Sequence, residues 1–262
     1  MEKSLQIIKN IFIIFILTTF FSAQDKWNYS AEVMDQLKNN GDIIRRLKEN
    51  VQFSKNNKLI MTDNAVQNIK DDVLYLKGNT IMINGIDTLT CDSMVYWSEL
   101  DSGYAMGNVY FTQPKDSRHL TADFFHYWET EGYRGSSFIA TGSTKIIEPD
   151  RIISANEVHY NDKKQIMNLV ENASVKTSNR GMSGNKIVIQ YLDSLIEKID
   201  VNMDAFAYNN LNIKVQKNSP YRKFRDEMSS KKMVAHFQDN NINQLILMNM
   251  ATTLYHVIDD SL

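Results

Sequence analysis

The chain has 262 residues, a length that accommodates one large β domain or two small domains. Hydrophobic residues make up 43% of the sequence and charged residues 23%, a balance that excludes intrinsic disorder. The formal net charge is -2, so the protein lacks the basic field that collects nucleic-acid phosphates. We therefore exclude nucleic acid as a partner.

The residue counts also restrict the chemistry and predict the type of fold. A single cysteine, Cys91, excludes an internal disulfide framework and a thiolate zinc cage. The sequence contains only 10 glycines and 3 prolines, but it contains 27 asparagines and 20 aspartates. Asn and Asp form turns by bonding to their own backbone, and they tolerate left-handed geometry. The composition therefore predicts many short strands joined by Asx-type turns.

Residues 1–23 have the pattern of a secretory signal peptide. Lys3 and Lys9 precede the apolar run 11–17, and small residues precede Gln24. The run is shorter than the roughly 20 residues that span a bilayer. We expect export to the periplasm and a mature chain that begins near Gln24. An uncleaved membrane anchor over residues 5–23 is the alternative.

Two short patterns alternate along the chain with a period near thirty residues. The first is a small residue followed by an acid or amide, at Glu32, Asp63, Asp92, Asp123, Asn156 and Asn185. The second is a triplet centred on Asn50, Asn79, Asn108, Ser143 or Asn172, 16 to 20 residues after a copy of the first. Each repeat therefore predicts two strands, with turns at the Asx positions.

Apolar residues alternate with a period of two after both patterns, which predicts strands with one apolar face. We expect this face to form a groove or core. Its candidate lining residues are Val51, Phe53, Met82, Met94, Tyr96, Val109, Phe111, Phe125, Tyr127, Ile146, Val158, Tyr160, Val175, Ile187 and Ile189. His126 and His159 share an outward column, for which surface exposure is a simpler interpretation than a metal site.

The remaining segments give weaker predictions. Residues 219–230 are the one stretch whose pattern permits a short amphipathic helix, which would cover one edge of the sheet. Stacked hairpins leave their terminal strands unpaired, and we expect these edges at residues 29–37 and 245–257. The sequence contains no nucleotide-binding loop, nucleophile elbow or zinc-protease motif.

The two patterns resemble those of the OstA-like family, the LptA- and LptC-type proteins of lipopolysaccharide transport. The copies that carry the resemblance best are residues 120–127 (LTADFFHY) and 107–111 (GNVYF). Residues 153–160 depart from the family pattern only at Asn156. The resemblance covers about residues 28–214. It implies an elongated antiparallel β-jellyroll over residues 24–214, with residues 215–262 continuing or capping the roll.

The resemblance also implies a function. It implies a non-catalytic periplasmic protein that binds the lipid A acyl chains of lipopolysaccharide and helps to bridge the inner and outer membranes. The implied partners are the OstA-like domains of the inner- and outer-membrane components, together with head-to-tail copies of this chain. No cofactor and no metal are expected.

Three other interpretations remain open at this point. The protein is alternatively a structural envelope protein whose core is filled by its own large side chains, among them Phe111 and Tyr160. It is alternatively an LptC-like component that stays anchored in the inner membrane. A carbohydrate-active enzyme would need two carboxylates, for which Glu129 and Glu131 are the available acidic pair.

Overall fold

The computed structural model describes residues 27–39, 42–129, 136–193, 195–214, 221–239 and 241–256. The expected signal peptide and its cleavage site lie outside these residues. Among the described residues, the one helix is a single 3-10 turn, Pro114–Asp116. No helix in this part of the chain has the length and apolar character needed to cross a membrane.

Sixteen strands form one antiparallel sheet that is not closed, and β3 to β15 lie side by side in chain order. The strands are β1 (Asn28–Ser30), β2 (Val33–Asn39), β3 (Asp42–Lys55), β4 (Lys58–Asn68), β5 (Val73–Asn84), β6 (Asp87–Trp97), β7 (Ser102–Gln113), β8 (Arg118–Glu129), β9 (Ser136–Ile147), β10 (Ile152–Asn161), β11 (Ile166–Lys176), β12 (Arg180–Leu192), β13 (Leu195–Lys214), β14 (Tyr221–Gln238), β15 (Asn241–Met248) and β16 (Thr252–Leu254). The predicted all-β fold of consecutive hairpins is confirmed.

The short amphipathic helix that the pattern of residues 219–230 permits is not formed over residues 221–230, which belong to β14. Tyr221 to Ser230 pair with Lys214 to Ala205 of β13, and this long hairpin satisfies the backbone hydrogen bonds of both strands. An amphipathic pattern of a few residues is a weak signal, and strand pairing overrides it. Residues 221–256 therefore extend the sheet by three further strands.

The predicted turns at the Asx positions are also wrong. Asp92 lies inside β6, and Asn108 lies inside β7; the chain reverses elsewhere, for example at residues 85–86. Gly107 and Asn108 have φ values of 74° and 48°, and the pairing of β7 with both neighbours shifts register there. Two consecutive left-handed residues bend a strand without reversing it, which produces a β-bulge.

We call the row of bulges across the sheet the seam. Among the described residues, six alternate strands each contribute two consecutive residues with positive φ, and a seventh pair lies directly after β15: Glu49–Asn50, Gly78–Asn79, Gly107–Asn108, Gly142–Ser143, Glu171–Asn172, Met203–Asp204 and Asn249–Met250. The neighbouring strands contribute the acid or amide of the first pattern. The period near thirty residues is therefore the spacing between successive bends of the same sheet.

Side chains of the two patterns bond to one another across the seam. The Asn108 amide donates to Asp92 Oδ2 at 2.9 Å, and the Asn79 amide donates to Asp63 Oδ2 at 3.0 Å. A Cβ atom on Gly107 would lie 2.4 Å from Asp92 Oδ2, so an aspartate in this position requires glycine opposite it. Where Asn156 replaces the aspartate, the left-handed residue opposite is Glu171 instead of glycine.

The seam divides the sheet into a first layer and a second layer that fold towards each other. In β6 and β7, for example, the first layer contains residues 93–97 and 102–106, and the second contains residues 87–91 and 109–113. Phe111 of the second layer stacks on Phe125 of the first, with ring centroids 5.5 Å apart. The hydrophobic core lies between the layers.

Inward-facing residues at the seam are small. They are Val51, Thr62, Thr80, Cys91, Val109, Ala122, Thr144, Ala155 and Ala173, and all of them are buried. Because the two layers meet at this fold, the space beside it is narrow and admits only short side chains. The small residue of the first pattern is thus explained by its position inside the bend.

Replacement of Gly107 by alanine tests the seam. We expect Gly107→Ala to lower the free energy of unfolding by about 1–3 kcal/mol, because alanine disfavours positive φ and its Cβ displaces Asp92. Urea unfolding measures the change. The double variant Asp92→Ala/Gly107→Ala should recover the part of the lost unfolding free energy that is due to the steric clash. Wild-type stability of Gly107→Ala would contradict this account of the seam.

Candidate functional site

The two layers enclose a cavity of about 1010 Å³, which we call the groove. It runs along the sheet from β5 to β12. Its wall is made of apolar and aromatic residues: Met82, Leu89, Phe111, Leu120, Phe125, Tyr127, Phe138, Ile146, Tyr160, Met167 and Tyr191. Polar and charged residues at the hairpin turns of both layers complete the lining, so the groove has an apolar interior and a polar rim.

Aromatic rings form a continuous stretch of the wall. The Phe125 ring lies 5.5 Å from Phe111, 6.1 Å from Tyr127 and 5.3 Å from Phe138, and Phe138 lies 5.5 Å from Tyr160. Rings in tilted or offset contact at these distances stabilise each other beyond the burial of their area. The rings therefore brace one another along the wall, and the space between the layers stays open beside them.

All fifteen predicted lining residues lie on the inner face of the folded sheet. Twelve are buried, and Phe111, Tyr127 and Tyr160 are half-buried against the core. Six of them contact the groove: Met82, Phe111, Phe125, Tyr127, Ile146 and Tyr160. The other nine fill the core beside it. Whether any of these residues contacts a lipid stays a prediction.

Several residues of the groove were absent from the predicted set. Leu89, Leu120, Phe138, Met167 and Tyr191 belong to the same wall. Leu120 could have been predicted from the sequence. It lies two residues before Ala122, and side chains two residues apart on a strand point to the same face of the sheet. Phe138 could not, because it lies in an insert of the sequence that interrupts the repeat.

The groove is closed towards the amino-terminal end of the sheet. The Trp27 ring meets the rings of Phe53 and Tyr96 edge-on, at 6.4 Å and 6.0 Å between centroids. Its indole Nε1–H donates to Ser98 Oγ at 2.5 Å. Because Phe53 lies in the second layer and Tyr96 in the first, Trp27 fills the space between the layers at this end.

Charged side chains join the layers beside Trp27. Lys58, at the tip of the second layer, forms an ion pair with Asp101, at the tip of the first. The Tyr96 hydroxyl donates to Asp101 Oδ1 at 2.9 Å. Burial acts to raise the pKa of Asp101, but hydrogen bonds with Glu129, Lys58 and Tyr96 outweigh it, and the pKa is lowered.

Glu129 is the acidic neighbour of this cluster at the rim of the groove. Its hydrogen bond with Asp101 raises the pKa of Glu129, and burial and the charge of Asp101 add to the shift. Two carboxyl groups that share a hydrogen bond cannot both ionise without repulsion. Asp101 therefore holds the negative charge that Lys58 neutralises, and Glu129 is the carboxyl that favours its proton.

Two arginines share one carboxylate on the opposite rim. Arg118 Nε donates to Glu148 Oε1 at 3.0 Å, and Arg151 Nε lies 3.0 Å from Glu148 Oε2. The Glu148 side chain is nearly buried, so its charge requires such partners. These bonds fix the turns of the second layer that border the groove.

The outward histidines lie apart from the groove. The His126 ring stacks on Tyr104 with centroids 4.0 Å apart, and burial lowers the pKa of His126. His159 pairs with Glu157. In the described part of the chain, no three His, Cys, Asp or Glu side chains are grouped to hold a metal.

Burial of Cys91 raises the pKa of its thiol to about 11, which disfavours the thiolate.

The folded sheet and its apolar groove define the class of open β-jellyrolls. Residues 59–193 match the family described as LptA/(LptD N-terminal domain) LPS transport protein, and the chain belongs to this family. The resemblance to LptA-type proteins that the repeats indicated is confirmed.

No curated protein matches the chain. Among solved structures, it is similar to LptH from Pseudomonas aeruginosa, the LptA homologous periplasmic component of a lipopolysaccharide transport device. The identity is 12%, the TM-score is 0.25, and the match covers 64% of this chain and 92% of LptH. The family assignment rests on residues 59–193.

The carboxyl pair at the rim gives a prediction for pH dependence. The pKa of Glu129 is higher in the folded protein than in the unfolded chain, where it is about 4.3. The protonated side chain therefore stabilises the fold. This contribution is complete below the unfolded-state pKa and is lost as pH rises through the folded-state pKa. Glu129→Gln mimics the protonated form. We therefore expect it to raise the melting temperature at pH 7 and to leave it unchanged near pH 4.

Glu99→Gln is the matched control, because it removes the same charge from an exposed position on the neighbouring turn. Thermal unfolding of the three proteins at pH 4 and pH 7 makes the comparison. An equal effect of both substitutions at pH 7 would assign the change to net charge and contradict the role of the Asp101–Glu129 bond.

Proposed function

We propose that this protein binds lipopolysaccharide and carries it by holding lipid A acyl chains in the groove. The observation that supports this proposal best is the cavity of about 1010 Å³ with its apolar wall, found in a member of a lipopolysaccharide transport family. Burial of each methylene group contributes about 0.8 kcal/mol, so even partly enclosed acyl chains gain substantial free energy. The carrier needs no catalytic group for this task.

The distribution of polarity in the groove fits an amphiphile with an apolar tail. Leu89, Leu120 and Ile146 offer an aliphatic surface, and the ring of Phe125 faces them from the other layer. The rim carries Arg118, Glu148 and other polar side chains at the hairpin turns. Acyl chains would lie between the layers, and the sugar head group would remain outside in water.

The open groove argues against a structural protein with a self-filled core. In that alternative, the large residues Phe111, Phe125, Tyr127 and Tyr160 occupy the interior. They lie instead along the wall, in contact with one another, and the cavity remains beside them. Only the end that Trp27 fills fits the self-filled description.

The acidic residues of the rim do not favour glycoside hydrolysis. Glu131 lies outside the described residues, and Glu129 is hydrogen-bonded to Asp101. Hydrogen-bonded carboxyl groups are closer together than the roughly 5 Å or more that retaining and inverting glycosidases require. The pair is better explained as part of the contact between the two layers.

The location that we propose is the periplasm. The charged and apolar pattern of residues 1–23 supports export. An anchored, LptC-like form and a cleaved, LptA-like form share the same groove and differ only in whether this segment is retained. Mass spectrometry of the native protein distinguishes them, because the cleaved form begins near Gln24.

Bridging between membranes would use the two free edges of the sheet. Within the part of the chain that the structure describes, β2 pairs only with β3, and β15 pairs only with β14. Near the end of β15, Lys231 N donates to Asn249 O at 2.9 Å. Because bonded and unbonded pairs alternate in an antiparallel ladder, Ile246, opposite Val234, directs its N–H away from β14. This donor is available to a strand of another molecule.

Because the two edges of the sheet differ, a contact between them is head-to-tail. Such a contact need not close into a ring and can extend from one molecule to the next. The same edges would accept the OstA-like domains of membrane-bound components. We therefore propose strand addition as the mode of contact with these partners and with other copies of the chain.

Photo-crosslinking tests the location of the lipid. A crosslinking amino acid at Phe111 should capture lipopolysaccharide, because this half-buried ring borders the groove. The same amino acid at His126, on the outer face, should not. Gel analysis of the captured lipid makes the measurement. Equal capture at both positions would contradict binding in the groove.

Replacement of Ile246 by proline tests strand addition. Ile246→Pro removes the outward N–H, whereas β14 keeps its bonds to the residues on either side. We expect head-to-tail association to weaken about tenfold, the equivalent of one lost hydrogen bond. Ile246→Ala keeps the N–H and is the control. Association measured by analytical ultracentrifugation would be the same for both variants if this edge makes no contact.

A further inference from the structure

Charge is distributed unevenly along the chain. Residues 205–225 contain no aspartate or glutamate, although they include five lysines and arginines. The chain as a whole has a formal net charge of -2, so the remainder is more acidic than the total. A basic segment in an acidic protein indicates a surface that contacts something negatively charged.

This segment forms a projecting two-stranded ribbon, which we call the arm: residues 210–214 of β13 and 221–225 of β14. The pairing of β12 with β13 ends at Arg180 and Asn209. On the other side, β16 pairs only with residues 227–229 of β14. Along the arm the two strands pair with each other. At its base, Asn210 N donates to Asn179 O at 2.7 Å, and the Phe224 ring lies 4.8 Å from the His256 ring.

A pocket of about 380 Å³ lies at the base of the arm. Its lining consists of Ser178, Asn179, Asn210, Asn212, Lys223, Phe224 and Arg225. Lysine, arginine, amide and hydroxyl groups can all donate hydrogen bonds, and no carboxylate lies in this lining. The pocket therefore has the chemistry of a site for a phosphate group.

The cationic residues of the pocket differ in how they are held. The Arg225 guanidinium lies over the Tyr208 ring at 4.3 Å, and its Nε lies 3.1 Å from Glu227 Oε1. Arg225 is thus positioned by its neighbours. Lys223 and Arg222 are exposed. Tyr221, 64% exposed, places an aromatic ring at the outer end of the arm.

We propose that the arm docks the protein on an anionic membrane surface, where Lys223, Arg225 and the asparagine amides receive lipid phosphate groups. Basic residues gain affinity from the negative potential of such a surface, and aromatic rings favour the interface between head groups and acyl chains. A small pocket of donors fits a compact head group. This docking is separate from the groove, which lies on β5 to β12.

Vesicle co-sedimentation of the purified protein tests the proposal. The probes are vesicles of phosphatidylcholine alone and of phosphatidylcholine with 30% phosphatidylglycerol. The wild type should bind the anionic vesicles, and more weakly as salt rises. Arg222→Gln/Lys223→Gln should weaken this binding roughly 30-fold, because each basic residue contributes about 1 kcal/mol, the equivalent of about fivefold.

Lys77→Gln/Lys145→Gln is the matched control, since it removes two exposed lysines from ordinary strands. It should bind the anionic vesicles as the wild type does. All proteins share the same residues 1–23, and the neutral vesicles report any binding through that apolar segment. A wild type that binds both vesicles equally, or a control that loses as much affinity as the arm variant, would overturn the proposal.

Inorganic phosphate separates a membrane surface from a free anion. At constant ionic strength, the affinity for vesicles in 10 mM phosphate should stay within about twofold of the affinity without phosphate, because a membrane offers many charges at once. Loss of vesicle binding in phosphate would assign the pocket to a soluble anion instead. Capture of an acidic protein, without vesicle binding, would likewise contradict docking on lipid.

Discussion

The bend at the seam is the constraint on which the rest of the structure depends. Gly107 and its equivalents adopt left-handed geometry, and Asp92 and its equivalents occupy the space that a Cβ atom would need. The interaction recurs in strand after strand, so the bends add up to one fold line. Without it the same hairpins would form a single flat sheet, with its apolar face exposed to water.

Side-chain size then decides what the folded sheet contains. Small residues such as Ala122 and Thr144 lie next to the seam, and larger residues lie further out, where the layers diverge. At the amino-terminal end, Trp27 fills the gap and Lys58 bonds to Asp101. Between β5 and β12 the rings stack along the wall, so the space stays open. One backbone design thus provides a closed end and an open groove.

The inner face was predictable from the sequence because side chains alternate strictly along a strand, and all fifteen predicted residues lie on it. The Asx positions were misassigned because the same residues favour turns and bulges, and only pairing with neighbours distinguishes the two. Asp101 gave no signal, because its partner Lys58 lies 43 residues away in sequence. The pattern of residues 219–230 permits a short helix, but residues 221–230 form a strand because β13 supplies a partner to pair with.

The seam is local, since each bend uses residues from adjacent strands only. Every hairpin therefore brings its own bend, its own small residue and its own share of the inner wall. The length of the interior scales with the number of hairpins, because a hairpin added or lost lengthens or shortens the interior without changing its cross-section. Duplication of about thirty residues in the gene would thus lengthen the groove by one hairpin and leave the rest of the fold unchanged.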